Sequence, residues 1–213
     1  MVFKDRIDAG RKLAQALPHL RGKDVVILGI PRGGVVVANE VAKSLGAPLD
    51  VVVTRKIEAP GEPEFALGAV TQEGDVMMDR AAAESLGATP EYLEDQIRIK
   101  REEVKERMER LRGDAPYPEL EGKAVVIVDD GIATGSSVSA AVMSVKKRNP
   151  KEIVVAVPVA PADAVQALAE DGTKVVCLET PGAFLAIGEF YLDFEQVEDM
   201  EVKRILSQSR QAR

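Results

Sequence analysis

Short apolar runs rich in β-branched residues recur along this chain, each followed by a stretch with helical spacing, and that alternation admits few architectures. The runs fall near 24–30, 50–54, 124–129, 153–159 and 174–178, and the helical patterns near 3–17, 34–45, 136–148 and 161–171. A run such as Val125-Val126-Ile127-Val128 has no polar residue to turn toward water, so it reads as a strand buried on both faces. Strands of this kind alternating with helices predict an α/β fold, a mostly parallel, doubly wound sheet that binds ligands at the C-terminal ends of its strands. With 213 residues, 46% of them apolar, the chain can bury a sizeable core as one domain. That domain divides into a core at about 20–180, a helical insertion at about 90–112 and a C-terminal cap at about 181–213.

Two strand ends carry the chemistry. The run ending at Val128 passes into Asp129-Asp130-Gly131-Ile132-Ala133-Thr134-Gly135-Ser136-Ser137 and then into a helix. Unpaired N–H groups at a helix start, with the positive end of its dipole, favour a bound phosphate. Gly131 and Gly135 let backbone approach an anion, and Thr134, Ser136 and Ser137 add hydroxyl donors. Adjacent carboxylates would repel that phosphate, so Asp129 and Asp130 fit neutral hydroxyls one sugar-length away or a metal-chelated ligand. About a hundred residues earlier, Val25-Val26-Ile27-Leu28-Gly29-Ile30 ends in Pro31-Arg32-Gly33-Gly34, a second loop able to present N–H groups and a guanidinium to a dianion.

The segment from Val125 to Ser137 resembles the phosphoribosyl pyrophosphate (PRPP) motif of type I phosphoribosyltransferases. The resemblance implies that Asp129 and Asp130 meet the ribose 2- and 3-hydroxyls while Ala133, Thr134, Gly135, Ser136 and Ser137 wrap the 5-phosphate. Arg32, Gly33 and Gly34 resemble the pyrophosphate loop of the same family. The basic pair Arg55 and Lys56, after Val51-Val52-Val53-Thr54, resembles a pair that contacts pyrophosphate in orotate phosphoribosyltransferase-like members. Those members place a further lysine three residues on, where this chain has Ala59. The segment from Ile57 to Gly68, with Pro60, Gly61 and Pro63, is the candidate lid.

The family likeness implies displacement of pyrophosphate from C1 of PRPP by a nitrogen acceptor, a heterocyclic base in many members. Mg2+ is the implied cofactor, chelated by pyrophosphate and ribose hydroxyls and not ligated directly by the protein. Asp129, Asp130, Arg32 and Lys56 take the catalytic roles on this reading. The alternative is a regulatory protein of the same fold that binds PRPP or a nucleotide without turnover. A PRPP-making kinase is disfavoured, because no second nucleotide-binding unit is visible.

Four aromatic residues fall between Phe184 and Phe194 in a chain with only 4% aromatic content. The resemblance implies a hood over the C-terminal edge of the sheet here, with Phe184, Phe190 and Tyr191 as candidate acceptor-stacking rings; Phe190, Tyr191 and Phe194 could instead pack the terminal helix. The 90–112 segment alternates charge sign around a stripe of Leu93, Ile97, Val104, Met108 and Leu111, which predicts an amphipathic arm on the core or on a second subunit of a homodimer.

The net charge of -7 argues against a nucleic-acid partner. One cysteine, Cys177, excludes an intrachain disulfide and, from its apolar neighbours, is expected on a buried strand. One histidine, His19, excludes multi-histidine metal sites. Charges interspersed through the first twenty residues and the lack of a membrane-length apolar run lead to the expectation of a cytoplasmic protein with no membrane partner.

Overall fold

Residues 2–170 and 172–211 are described by a computed structural model, apart from the side chains of Pro63 and Glu64. Five parallel strands form the main sheet: β1 (Val25–Gly29), β2 (Leu49–Val51), β6 (Ala124–Val128), β7 (Glu152–Val159) and β8 (Lys174–Glu179), in the order β2-β1-β6-β7-β8. Every residue of β1 and β6 is buried. Alternate side chains go to opposite cores, Val25, Ile27, Ala124, Val126 and Val128 to one, and Val26, Leu28, Val125 and Ile127 to the other. This two-sided burial explains why these strands carry no polar alternation.

Helices α1 (Arg6–Gln15) and α2 (Gly33–Leu45) cover the first face, and α5 (Ser136–Lys146) and α6 (Ala162–Glu170) cover the second. The strand order reverses between β1 and β6, because β2 lies on one side of β1 and the later strands continue on the other. That reversal is where open α/β sheets hold ligands, and the loops after β1 and β6 are the two read from sequence as anion sites.

A second sheet of three antiparallel strands, β3 (Arg55–Ala59), β4 (Glu62–Val70) and β5 (Val76–Met78), follows β2. It corrects one expectation and gives a second its form. The strand expected at 50–54 ends at Val51, and Arg55 and Lys56 open the next sheet instead of closing this one. The candidate lid is a paired hairpin whose Ile57, Ala59 and Leu67 are buried. Pro63, one of the residues that suggested a lid, has its side chain outside the described residues.

Between the sheets run α3 (Arg80–Ser85) and the long helix α4 (Pro90–Arg112), started by a Thr89 side chain that accepts from Tyr92 N–H at 3.2 Å. Helix α4 packs on the molecule itself: Val104 and Leu111 are buried, and Leu93, Ile97 and Met108 line the main core. The last helix, α7 (Asp199–Gln211), buries Val202, Ile205 and Leu206 in that same core. The expected C-terminal hood is therefore divided, with α7 a core helix and only the residues before it over the sheet. Cys177 is half-buried, because β8 is an edge strand. No helix among the described residues is long and apolar enough to cross a membrane.

Asp50 on β2, 3% exposed, anchors these helices. Arg112 grips it with two bonds, Nε to Oδ1 at 2.7 Å and Nη2 to Oδ2 at 3.0 Å, and Arg210 of α7 approaches Oδ2 at 3.7 Å. Planar guanidinium against carboxylate is the geometry that compensates burial of both charges. Arg112→Ala leaves the carboxylate with the Val51 N–H at 2.8 Å and the more distant Arg210, and the expected cost is about 3–5 kcal/mol. Urea unfolding of the variant measures it, and a loss below about 1 kcal/mol, the range of an exposed pair, would show that those two partners suffice.

Candidate active site

Parallel pairing of Gly29 with Val128 sets the ends of β1 and β6 side by side. Arg32 begins α2 directly after β1, and Gly33 and Gly34 form its first turn. The fit to the acid pair is close enough to demand glycine. A Cβ on Gly34 would lie 2.7 Å from Asp129 Oδ1 and 2.8 Å from the Val128 carbonyl, and one on Gly33 only 1.9 Å from Asp130 Oδ2. The pyrophosphate loop predicted from sequence thus sits against the predicted ribose carboxylates.

The acids themselves are differently placed. Asp129 Oδ1 accepts from the Asp130 N–H at 2.8 Å. Burial, and then the Asp130 charge, push the Asp129 carboxyl well above the usual carboxylate range, against the opposing pull of the Asp130 N–H and the Arg6 charge. Asp130 is held by an ion pair from Arg6 Nε to Oδ2 at 2.7 Å, with side chains only 11% and 14% exposed. Its carbonyl accepts from the Tyr191 hydroxyl at 2.6 Å.

After Asp130 the chain turns through the buried Ile132 to the exposed Ala133 and Thr134. Gly135, in the left-handed region at φ 82°, starts α5, and Thr134 Oγ1 lies 3.2 Å from Ser136 Oγ. Ser136 and Ser137 are the first residues of α5, so the loop offers free helix-end N–H groups as expected. A cleft of about 360 Å³ opens beside it, lined by Thr134, Ser136 and Ser139 and by Leu67, Met77 and Met78 of the small sheet.

The basic pair is drawn elsewhere. Arg55 Nε pairs with Glu103 of α4 at 3.2 Å, and Lys56 Nζ lies 3.9 Å from Glu58. Both residues thus meet carboxylates of the small sheet and of α4. Helix α4 also adds a cation that no motif suggested. Arg107 pairs with Asp199 at 3.7 Å, and its Nε has no hydrogen-bond partner among the described residues. Burial first, then the neighbouring Arg55, Arg32 and Arg110 charges, hold its guanidinium below its ordinary range, with Asp199 acting the other way. Arg32 and Arg55, far from it in sequence, are near enough for their charges to act on Arg107.

The hood is built from both chain ends. Phe3 bridges Tyr191, with Phe3 N–H donating to the Phe190 carbonyl at 2.8 Å and Leu192 N–H to the Phe3 carbonyl at 2.9 Å. Of the candidate acceptor rings, Phe184 and Phe190 stack on each other at 5.6 Å and are half-buried. Tyr191 is 6% exposed, lies between Phe3 and Phe194, and spends its hydroxyl on Asp130, so its ring belongs to the hood interior and leaves no face open for stacking. Burial and the Asp130 charge push the Tyr191 phenol up, which keeps it a donor. His19 lies exposed in a short turn before β1, at the strand end opposite the site.

A family model described as the phosphoribosyl transferase domain matches residues 4–195. The chain belongs to the phosphoribosyl transferase family. Two curated relatives from Mycobacterium tuberculosis, strains CDC 1551 / Oshkosh and H37Rv, are each 43% identical over 208 residues and provisionally described as phosphoribosyl transferases. The match takes in 98% of this chain, which spans 47% of the length of those relatives. The crystal structure of TT1426 from Thermus thermophilus matches with a TM-score of 0.84 at 47% identity, covering 98% of this chain and 99% of that one. A protein from Neisseria gonorrhoeae crystallised with bound ppGpp shares the fold at a TM-score of 0.51 and 16% identity, covering 99% of each chain.

Arg6, bonded to Asp130, and the buried Arg107 are candidate site residues that sequence reasoning missed. Arg6 lies 124 positions from Asp130 and sits in an ordinary amphipathic helix, so nothing local marks it. Arg107 is one of many charges on α4, and its burial and its pairing with Asp199 distinguish it.

The raised Asp129 carboxyl has a consequence for stability. A folded state that holds a proton more tightly than the unfolded chain loses stability as pH rises from the ordinary carboxylate range through the raised value. Asp129→Asn removes that loss while its amide oxygen can still accept from Asp130 N–H. The variant is therefore expected to gain stability relative to the parent between pH 4 and pH 7. Paired urea titrations at the two pH values measure it, and a constant difference would place the proton elsewhere.

Proposed function

We propose that this chain transfers a 5-phosphoribosyl group from PRPP to a nitrogen of a heterocyclic acceptor, with Mg2+ bound to the donor. The observation that carries the reading is the contact of the Arg32-Gly33-Gly34 loop with the Asp129–Asp130 pair, which runs on into a helix-start loop suited to phosphate. Among the described residues, this is the arrangement that joins a pyrophosphate cradle, sugar-hydroxyl acceptors and a monophosphate cradle at one strand edge.

In the transfer, the bond from C1 to the pyrophosphate oxygen breaks with its electron pair leaving on pyrophosphate, and the acceptor nitrogen forms the new bond to C1 and loses its proton. Positive charge develops on the ribose and negative charge on the leaving group, so the protein acts by orientation and preset charge. Asp129 and Asp130 accept from the ribose hydroxyls and face the developing cation. The N–H groups of residues 133–137 hold the 5-phosphate, and those of Gly33 and Gly34 with Arg32 hold pyrophosphate. Arg55, Lys56 and Arg107 supply the surrounding positive field, and Phe184 and Phe190 offer the half-buried ring pair for the acceptor. Hard carboxylate oxygens beside two anion cradles fit a divalent cation that arrives chelated by PRPP. When bound, Mg2+ neutralises the pyrophosphate charge as the leaving group departs.

A second reading, a PRPP- or nucleotide-binding regulator without turnover, is favoured by the engagement of Arg55 and Lys56 with Glu103 and Glu58 and by Ala59 at the position of the family's loop lysine. Pyrophosphate release from PRPP and Mg2+ across a panel of heterocyclic bases separates the two, alongside calorimetry of PRPP with and without Mg2+. Release with at least one base supports transfer. Mg2+-dependent binding with no release supports the regulator, and equal PRPP affinity with and without Mg2+ counts against both. Gly34→Ala, whose Cβ meets backbone that cannot give way, is expected to lower turnover about 100-fold or more. A thermal melt run alongside shows whether the fold survives, and unchanged turnover would remove Gly34 from the site.

A further inference from the structure

We infer that Arg6 is a positioning residue for Asp130, fixing which carboxylate oxygen meets the ligand and tying the other oxygen to the hood. The inference rests on the phosphoribosyl transfer reading and adds to it a residue that no motif marks. Asp130 is nearly exhausted by protein partners. Its N–H goes to Asp129, its carbonyl accepts from the Tyr191 hydroxyl, and its Oδ2 accepts from Arg6 Nε at 2.7 Å. Gly33 closes the same oxygen, since even a methyl there would come within 1.9 Å of it. Oδ1 is the oxygen that Arg6 and Gly33 leave open to a sugar hydroxyl, and its direction is set by the grip on Oδ2, beside the Asp129 carboxyl that also bonds to the Asp130 side chain.

Arg6 is itself held on three sides. Nε reaches Asp130, Nη1 donates to the Glu195 carbonyl at 2.8 Å, and the guanidinium carbon lies 3.8 Å from the centre of the Phe194 ring. With 11% of its side chain exposed, this is not a solvated surface pair. Each contact uses a different feature of the group: a directed N–H, a second N–H in the same plane and a flat cationic face. Lysine can keep a charged N–H at Oδ2 but not the second in-plane N–H or the flat face. The groups facing the acid pair are therefore Arg6 from α1 and the Tyr191 hydroxyl from the hood, with backbone of Gly33 and Gly34 from the loop after β1.

The alternative is a latch that merely joins the chain's two ends. Arg6→Lys and Arg6→Gln distinguish them, because both lose the Glu195 and Phe194 contacts while only lysine keeps a cation beside Oδ2. Calorimetric titration of each full-length variant with PRPP and Mg2+ is the primary measurement, with thermal melts and, where turnover is seen, the KM for PRPP and kcat. Arg6→Gln is expected to weaken PRPP binding at least tenfold, and Arg6→Lys to recover most of that loss while melting as low as the glutamine variant. PRPP affinity unchanged in Arg6→Gln, or equally weakened in both variants, overturns the positioning role. A parent protein that binds no PRPP removes the transfer reading and this inference with it. A parent that binds PRPP, with variants that bind equally well, removes this inference alone.

Discussion

The in-register parallel pairing of β1 with β6 is the constraint on which the rest of the site depends. Backbone bonds between these strands bring together loops separated by about a hundred residues, and the reversal of strand order at the same place leaves the space above them uncovered by a crossover. The pairing holds because both strands are buried on two faces. Moving β6 by one residue would exchange its whole apolar set between two differently shaped cores. The same pairing presses Gly33 and Gly34 onto Asp129 and Asp130, so the chemistry of the site inherits its precision from apolar packing below it.

Charge is distributed against the overall balance of the molecule. An acidic chain sets Arg6 against one of two adjacent acids, and it buries the other. Asp130 has a cation at one oxygen, whereas Asp129 is buried with that charge next to it. The cation at Asp130 and the raised Asp129 carboxyl let two adjacent acids share one strand end without two buried, unpaired charges. The hood contributes through Tyr191 and the chain's beginning through Arg6, so the two ends close over the same residue.

What was legible in the sequence depended on locality. The parallel α/β class, the strand-loop-helix units at Val25–Leu45 and Val125–Lys146 and the amphipathic helix at 90–112 follow from contiguous apolar runs, glycine placement and helical spacing, all properties of neighbouring residues. Arg55 and Lys56 were legible as a basic pair but not in their setting. The end of β2 at Val51 and the start of an antiparallel sheet depend on which partner strand is within reach, and β-strand boundaries carry little local signal.

A two-faced parallel sheet and two glycine-bearing loops suited to anions were therefore already specified by the order of residues, because burial and backbone freedom are written position by position. Folding was needed to establish that Arg6 holds Asp130, that Tyr191 serves the hood interior and that Arg107 pairs with Asp199. Each of those facts is a contact between distant segments, and a long polar side chain takes its partner from whatever the fold brings within about 3 Å, which its own neighbours in sequence do not specify.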